Sequence, residues 1–77
     1  MNEAVARDIL ESMRNRREER VAILRDQARL MRDRLSDYEG TKRSRCAKMA
    51  EDFDLDAARM ARTIEAIDWF LEGDEHG

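Results

Sequence analysis

At 77 residues the chain is a single domain, close to the size at which one hydrophobic core is barely sufficient. Charged residues make up 43% of it and hydrophobic residues 42%, with no proline, three glycines and four aromatics: Tyr38, Phe53, Trp69 and Phe70. That composition excludes a sheet protein and a disordered tail, and the single cysteine excludes an intramolecular disulfide.

The net charge of −3 is unevenly spread. Residues 1–34 carry nine arginines against seven acids, residues 35–50 four cations against two acids, and residues 51–77 two arginines against nine acids. A basic first half and an acidic last third attract one another when the chain folds back on itself. Arginine outnumbers lysine 13 to 2, and its forked guanidinium suits contacts between helices and with partners. No apolar run reaches the ~18 residues needed to span a bilayer, and the N-terminus lacks a signal-peptide stretch. The expectation is a cytoplasmic, soluble, all-α chain.

Val5, Ile9, Leu10 and Met13 make an apolar face at the start. Residues 14–20 then contain no apolar side chain, so residues 3–39 read either as one long helix or as a short extra N-terminal helix hinged near Ser12–Arg17. From Val21, alternating steps of three and four give Val21, Leu24, Ala28, Met31, Leu35 and Tyr38. From Cys46 they give Cys46, Ala50, Phe53, Ala57, Met60, Ile64, Ile67 and Leu71. Every position is apolar, which predicts two amphipathic helices meeting along a coiled-coil-like seam. One seam position counted back from Val21 falls on Arg17 and interrupts the repeat.

Gly40 can take the left-handed conformation that closes a helix, and Thr41 or Ser44 can cap the next. The turn is therefore placed at about 40–44 and helix two at about 45–72, with 73–77 a frayed tail. Asp52 and Asp54 leave an alternative in which helix two restarts near residue 54. Folding about residue 42 sets Tyr38 opposite Cys46, Met31 opposite Phe53, Leu24 opposite Met60, Val21 opposite Ile64 and Met13 opposite Leu71. The expected fold is an antiparallel two-helix hairpin. Trp69-Phe70-Leu71 is expected to close the core against Leu10 and Met13, with Trp69 off the seam and Leu71 on it.

Two helices bury one stripe each, and large apolar groups are left over. Leu55 and Trp69 lie two heptads apart on the outer face of helix two. Ile23 and Leu30 form a second stripe on helix one, about 110° from its seam. The expected remedy is a partner, namely a second copy completing a helical bundle or a different protein.

The chemistry-bearing residues point away from catalysis. His76 is the sole histidine and lies in the tail, so no metal site or histidine base is expected in a folded pocket. Cys46 is expected as an inert thiol on the seam. The carboxylates lie off the seam, no glycine-rich phosphate loop is present, and no serine has triad partners. No enzyme activity, cofactor, metal or small-molecule substrate is expected. Arg14, Arg16, Arg17 and Arg20 form one basic cluster, and Lys42 and Arg43, with Arg45 and Lys48, form another. These are the candidate phosphate contacts, but interleaved acids and the absence of aromatics argue against nucleic acid as the partner.

The expected function is a small protein-interaction module that self-associates and binds a protein partner through Ile23, Leu30, Leu55, Trp69 and Phe70. In size and layout it resembles small bacterial adaptors, secretion co-chaperones and phage-encoded inhibitors, a likeness of architecture that rests on no motif. Two alternatives stand beside it: a nucleic-acid-associated regulator or antitoxin-like dimer using the arginines, and a structural oligomer.

Overall fold

The computed structural model describes residues 2–73. The first helix, α1 (Glu3–Asp33), is opened by Asn2, whose side-chain oxygen accepts a hydrogen bond from the Val5 amide at 2.9 Å. Glu3 in the first turn and Arg32 in the last both complement the helix dipole. The helix is continuous for 31 residues, so there is no hinge near Ser12–Arg17 and no separate N-terminal helix. Its polar stretch holds because it contains neither glycine nor proline and is laced by one-turn contacts. Arg14 pairs with Glu18 at 2.9 Å, and Arg16 donates to the Ser12 hydroxyl at 3.2 Å.

The link differs from the expected one. α1 ends at Asp33 rather than near residue 39, and Leu35–Asp37 forms a single 3-10 turn. Two backbone bonds close it, from the Asp37 amide to the Arg34 carbonyl at 3.0 Å and from the Tyr38 amide to the Leu35 carbonyl at 3.2 Å. Ser36 and Asp37 are turn-forming residues, and the tightened turn satisfies carbonyls that the helix end would leave unpaired. Tyr38 and Glu39 are extended, and the second helix, α2 (Gly40–Leu71), follows at once. Gly40 does take a left-handed φ of +58°, but where the second helix opens rather than where the first closes. Residues 40–44 are helical, Glu39 holds the capping position, and Thr41 and Ser44 lie within the helix. α2 passes through Asp52 and Asp54 without a break. His76 and the other residues of 74–77 lie outside the described part of the chain.

The helices pack side by side in a rod of 56 × 18 × 16 Å. Val21, Leu24, Ala28, Ala50, Ala57 and Ile67 are buried, and Phe53, Met60 and Ile64 pack on the Val21–Leu24–Ala57 cluster. All fourteen positions picked out by the three-four spacing are buried or half-buried, Leu35 and Tyr38 from the link rather than from a helix. Ala28, Ala50 and Ala57 are exposed by at most 1%, and their short side chains let the backbones approach closely. Two ion pairs between the helices, Arg32–Asp54 and Arg14–Asp68, sit at the register expected from folding about residue 42.

Leu24 is sealed on the seam while its neighbour Ile23 is 47% exposed. Leu24→Asp is therefore expected to lower stability by about 3–5 kcal/mol, enough to erase the thermal transition, whereas Ile23→Asp leaves helix content intact by circular dichroism. At Gly40 a Cβ would meet nothing within 4 Å, so Gly40→Ala should cost only the left-handed backbone term, about 1 kcal/mol in a denaturant titration.

Candidate protein-binding surfaces

The 100° step per residue divides each helix into an inward stripe, two edges and an outer face. One edge of the hairpin is closed by charge. Arg14 and Arg32 are five turns apart on α1 and reach across to Asp68 and Asp54 of α2. Arg14 and Arg17 are half-buried because the inward stripe of α1 drifts in its first half, where Ala6, Leu10, Met13, Arg14 and Arg17 all lie partly covered. Leu10 and Val21 are eleven residues apart, a spacing that follows a straight helix more closely than a strict heptad. The arginine stems cover the seam while their heads turn outward, Arg17 to the Met13 carbonyl at 3.3 Å and Arg14 to Asp68 and Glu18.

The hydrogen bond and charge of Asp68, with Glu18 behind them, raise Arg14 above the usual guanidinium range. Lys48 is raised in the same sense by its hydrogen bond and charge contact with Asp52. A raised cation contributes stability that is fully present below its ordinary value and is lost only as pH climbs through the raised one. Both contributions are therefore constant across neutral pH.

The opposite edge is apolar and cationic. Ile23 and Leu30 lie on it, and Val5 and Ile9 continue the same stripe towards the N-terminus, all four nearly half exposed. Leu30, Gln27, Met31 and Arg34 of α1 meet Phe53 of α2 around a depression of about 220 Å³. Met49 lies on this edge of α2, beside Arg45 and Lys48. Leu55 and Trp69 occupy the outer face of α2, 50% and 61% exposed, and do not share a surface with Ile23 and Leu30.

The open end of the hairpin closes in part as expected, with Leu71 on the seam and Trp69 off it, but Phe70 does not join the core. Leu71 turns in and is half-buried, but Trp69 stays outside and Phe70 is 66% exposed. The two rings meet edge-on, 5.4 Å between centroids. Phe70 and Leu71 line a cleft with Ala6, Arg7 and Leu10, where α1 runs on past the end of α2. Adjacent positions on a helix point about 100° apart, so only one of this apolar triplet can face the seam.

The proposed phosphate contacts do not converge. Arg14 and Arg17 face α2, whereas Arg16 and Arg20 lie on the Leu30 edge. Lys42 sits over the Tyr38 ring, 4.5 Å from its centroid, and Arg43 is exposed on the charged edge. Cys46 is a free, half-buried thiol. Among the described residues no group of three or more His, Cys, Asp and Glu is placed to hold a metal ion, and no helix is long and apolar enough to cross a membrane.

Met49 and the Leu30–Phe53 depression were not singled out from the sequence. The signal for Met49 was its place beside Ala50: a small residue on the seam leaves the larger neighbour uncovered. The chain matches no family model, no curated protein and no solved structure.

The Arg32–Asp54 pair is about half exposed on both sides and is worth under about 1 kcal/mol. Arg32→Asp is expected to lower the melting midpoint by a few degrees, and adding Asp54→Arg should recover most of it at low salt. A double variant no better than the single one would show that the pair does not set the register.

Proposed function

We propose that this chain is a small non-enzymatic protein-interaction module of adaptor, co-chaperone or inhibitor type, acting by helix-on-helix packing. It works as a homodimer within a helical bundle, with a coiled-coil-like seam inside each hairpin. The observation that carries this reading is an inversion of the usual sorting by size. Among the described residues, three of the six that are buried are alanines, whereas Leu30, Leu55, Trp69 and Phe70 are among eight large hydrophobics left exposed. The chain exposes 6106 Å², against about 4,900 Å² for a compact monomer of its mass.

Self-association uses the outer face of α2. Ala58 and Ala66 lie between Leu55 and Trp69, and a two-fold axis at Arg62 sets each Leu55 against Trp69 of the partner subunit. The same axis sets Ala58 against Ala66 of the partner subunit and brings Arg59 towards Glu65 of the partner subunit, a self-complementary arrangement. A foreign protein takes the Leu30 edge, which a purely structural oligomer would leave without a role. The dispersal of Arg14, Arg16, Arg17 and Arg20 over two faces favours this reading over nucleic-acid binding.

Sedimentation equilibrium tests the self-contact. A dimer is expected at micromolar concentration, and Leu55→Asp should convert it to a helical monomer. A monomeric parent, or a dimer indifferent to Leu55→Asp, rules the α2 contact out. For the foreign partner, capture from nuclease-treated lysate should survive ~0.3 M salt and disappear in Leu30→Asp. Capture abolished by nuclease would move the function to the arginines.

A further inference from the structure

The Leu30 edge carries a charge pattern that specifies its occupant. Arg16, Arg20 and Arg34 fall on this edge of α1, and of the seven acids of residues 1–34 only Glu19 and Asp26 border it, one turn from Ile23 and Leu30, with Asp26 held by Arg29. Arg16 bonds only to the Ser12 hydroxyl, and Arg20, Arg34 and, across on α2, Arg45 have no carboxylate partner among the described residues. The two acids on the α2 side of the edge are already engaged, Asp52 by Lys48 at 3.0 Å and Asp56 by Arg59 at 3.8 Å. A chain of net charge −3 therefore presents its apolar edge beside three arginines, Arg20, Arg34 and Arg45, that no carboxylate of the described residues engages. The opposite edge, by contrast, satisfies Arg14 and Arg32 internally.

Geometry narrows the occupant further. The depression between Leu30, Met31 and Phe53 accepts one bulky apolar side chain, and Arg34 stands at its wall. Arg45 and Met49 follow one to two turns nearer the link, and Arg20 and Ile23 lie two to three turns the other way. Apolar anchors and cations thus alternate along the rod, the complement of a helix with one leucine-rich stripe flanked by Asp or Glu. A second copy of this chain does not fit. An isologous contact through this edge would set the same arginines against one another, and like charges brought together at an interface are strongly unfavourable.

Resting on the interaction-module reading above, we propose that the Leu30 edge docks an acidic amphipathic helix of a different protein. Its apolar anchor enters the Leu30–Phe53 depression, and its carboxylates engage Arg20, Arg34 and Arg45. Guanidinium–carboxylate pairs around a desolvated apolar anchor give both affinity and register.

The probe is a fluorescein-labelled helical peptide of about 21 residues with leucines at heptad spacing and glutamates on its flanks, compared with the same peptide carrying lysines. Anisotropy titration against the full chain at low salt should show at least tenfold tighter binding of the glutamate peptide. Arg34→Glu/Arg45→Glu should weaken that binding at least tenfold with an unchanged melt. Arg25→Glu/Arg43→Glu, the same charge change on the other edge, should leave it within twofold. Equal binding of both peptides, or no binding of either, overturns the acidic-helix inference. So does equal loss in the two double variants, which would mark a bulk charge effect. If Arg34→Glu/Arg45→Glu alters the dimer by sedimentation, the edge is a self-contact and the inference is likewise overturned. The α2 self-contact is decided separately by Leu55→Asp, so the two readings fail independently.

Discussion

The separation of the two helices is the constraint from which the rest follows. Ala28, Ala50 and Ala57 are the most completely buried residues, and a methyl group at each lets the backbones lie close together. Close approach leaves little volume between the helices. Leucine-sized groups fit inside at few positions, among them Leu24 and, at the far end, Ile67. The remaining large side chains are excluded by geometry rather than by sequence accident, since a narrow interface admits one stripe per helix. A hairpin zipped on alanine gains tight packing and gives up buried area.

Charge then decides which way the hairpin presents itself. Both edges are rich in arginine, but only one edge of α2 answers with well-placed acids, Asp54 and Asp68. Those pairs contribute little energy at their exposure, but they agree with the register of the seam and engage Asp54 and Asp68 within the hairpin. On the other edge Asp52 and Asp56 are spent on their own helix. The result is a rod with a closed side and an open side, although composition alone shows only a mildly acidic chain.

The heptad spacing made the hairpin legible because it reports the quantity that governs two-helix packing, the direction of each side chain about its axis. Every position chosen that way is at least half-buried, and the register from Met31–Phe53 to Val21–Ile64 agrees with the observed ion pairs. The link was misplaced for a reason equally local. A glycine with φ > 0 reverses the chain equally well after one helix or before the next, and spacing does not distinguish the two. The N-terminal half was left open between one helix and a hinged pair because a polar stretch breaks the apolar pattern without breaking the helix. There the seam is covered by the aliphatic stems of Arg14 and Arg17, which no count of apolar residues detects. The candidate surface was partly legible: Ile23, Leu30, Leu55 and Trp69 are exposed, on the separate stripes that the spacing placed on helix one and helix two, but the meeting of Leu30 with Phe53 was not. Rotation about a single helix gives an angle, and only the hairpin says which angles of two helices meet.

Folding and binding are coupled in the proposed module. Any partner that binds the folded hairpin and not the open chain adds its binding free energy to stability, by about 2.7 kcal/mol at a hundredfold excess over its dissociation constant. Against a core that supplies only about 3–5 kcal/mol, that increment approaches the stability of the hairpin itself. A substitution on the seam will then register as lost affinity, and one on an outer face as lost stability whenever the partner is present. The two kinds of residue separate only when melts are taken without partner and across chain concentration. At a concentration too low for the proposed α2 contact to form, the hairpin stands on the seam alone, and the contribution of Ala28, Ala50 and Ala57 can be read free of any interface.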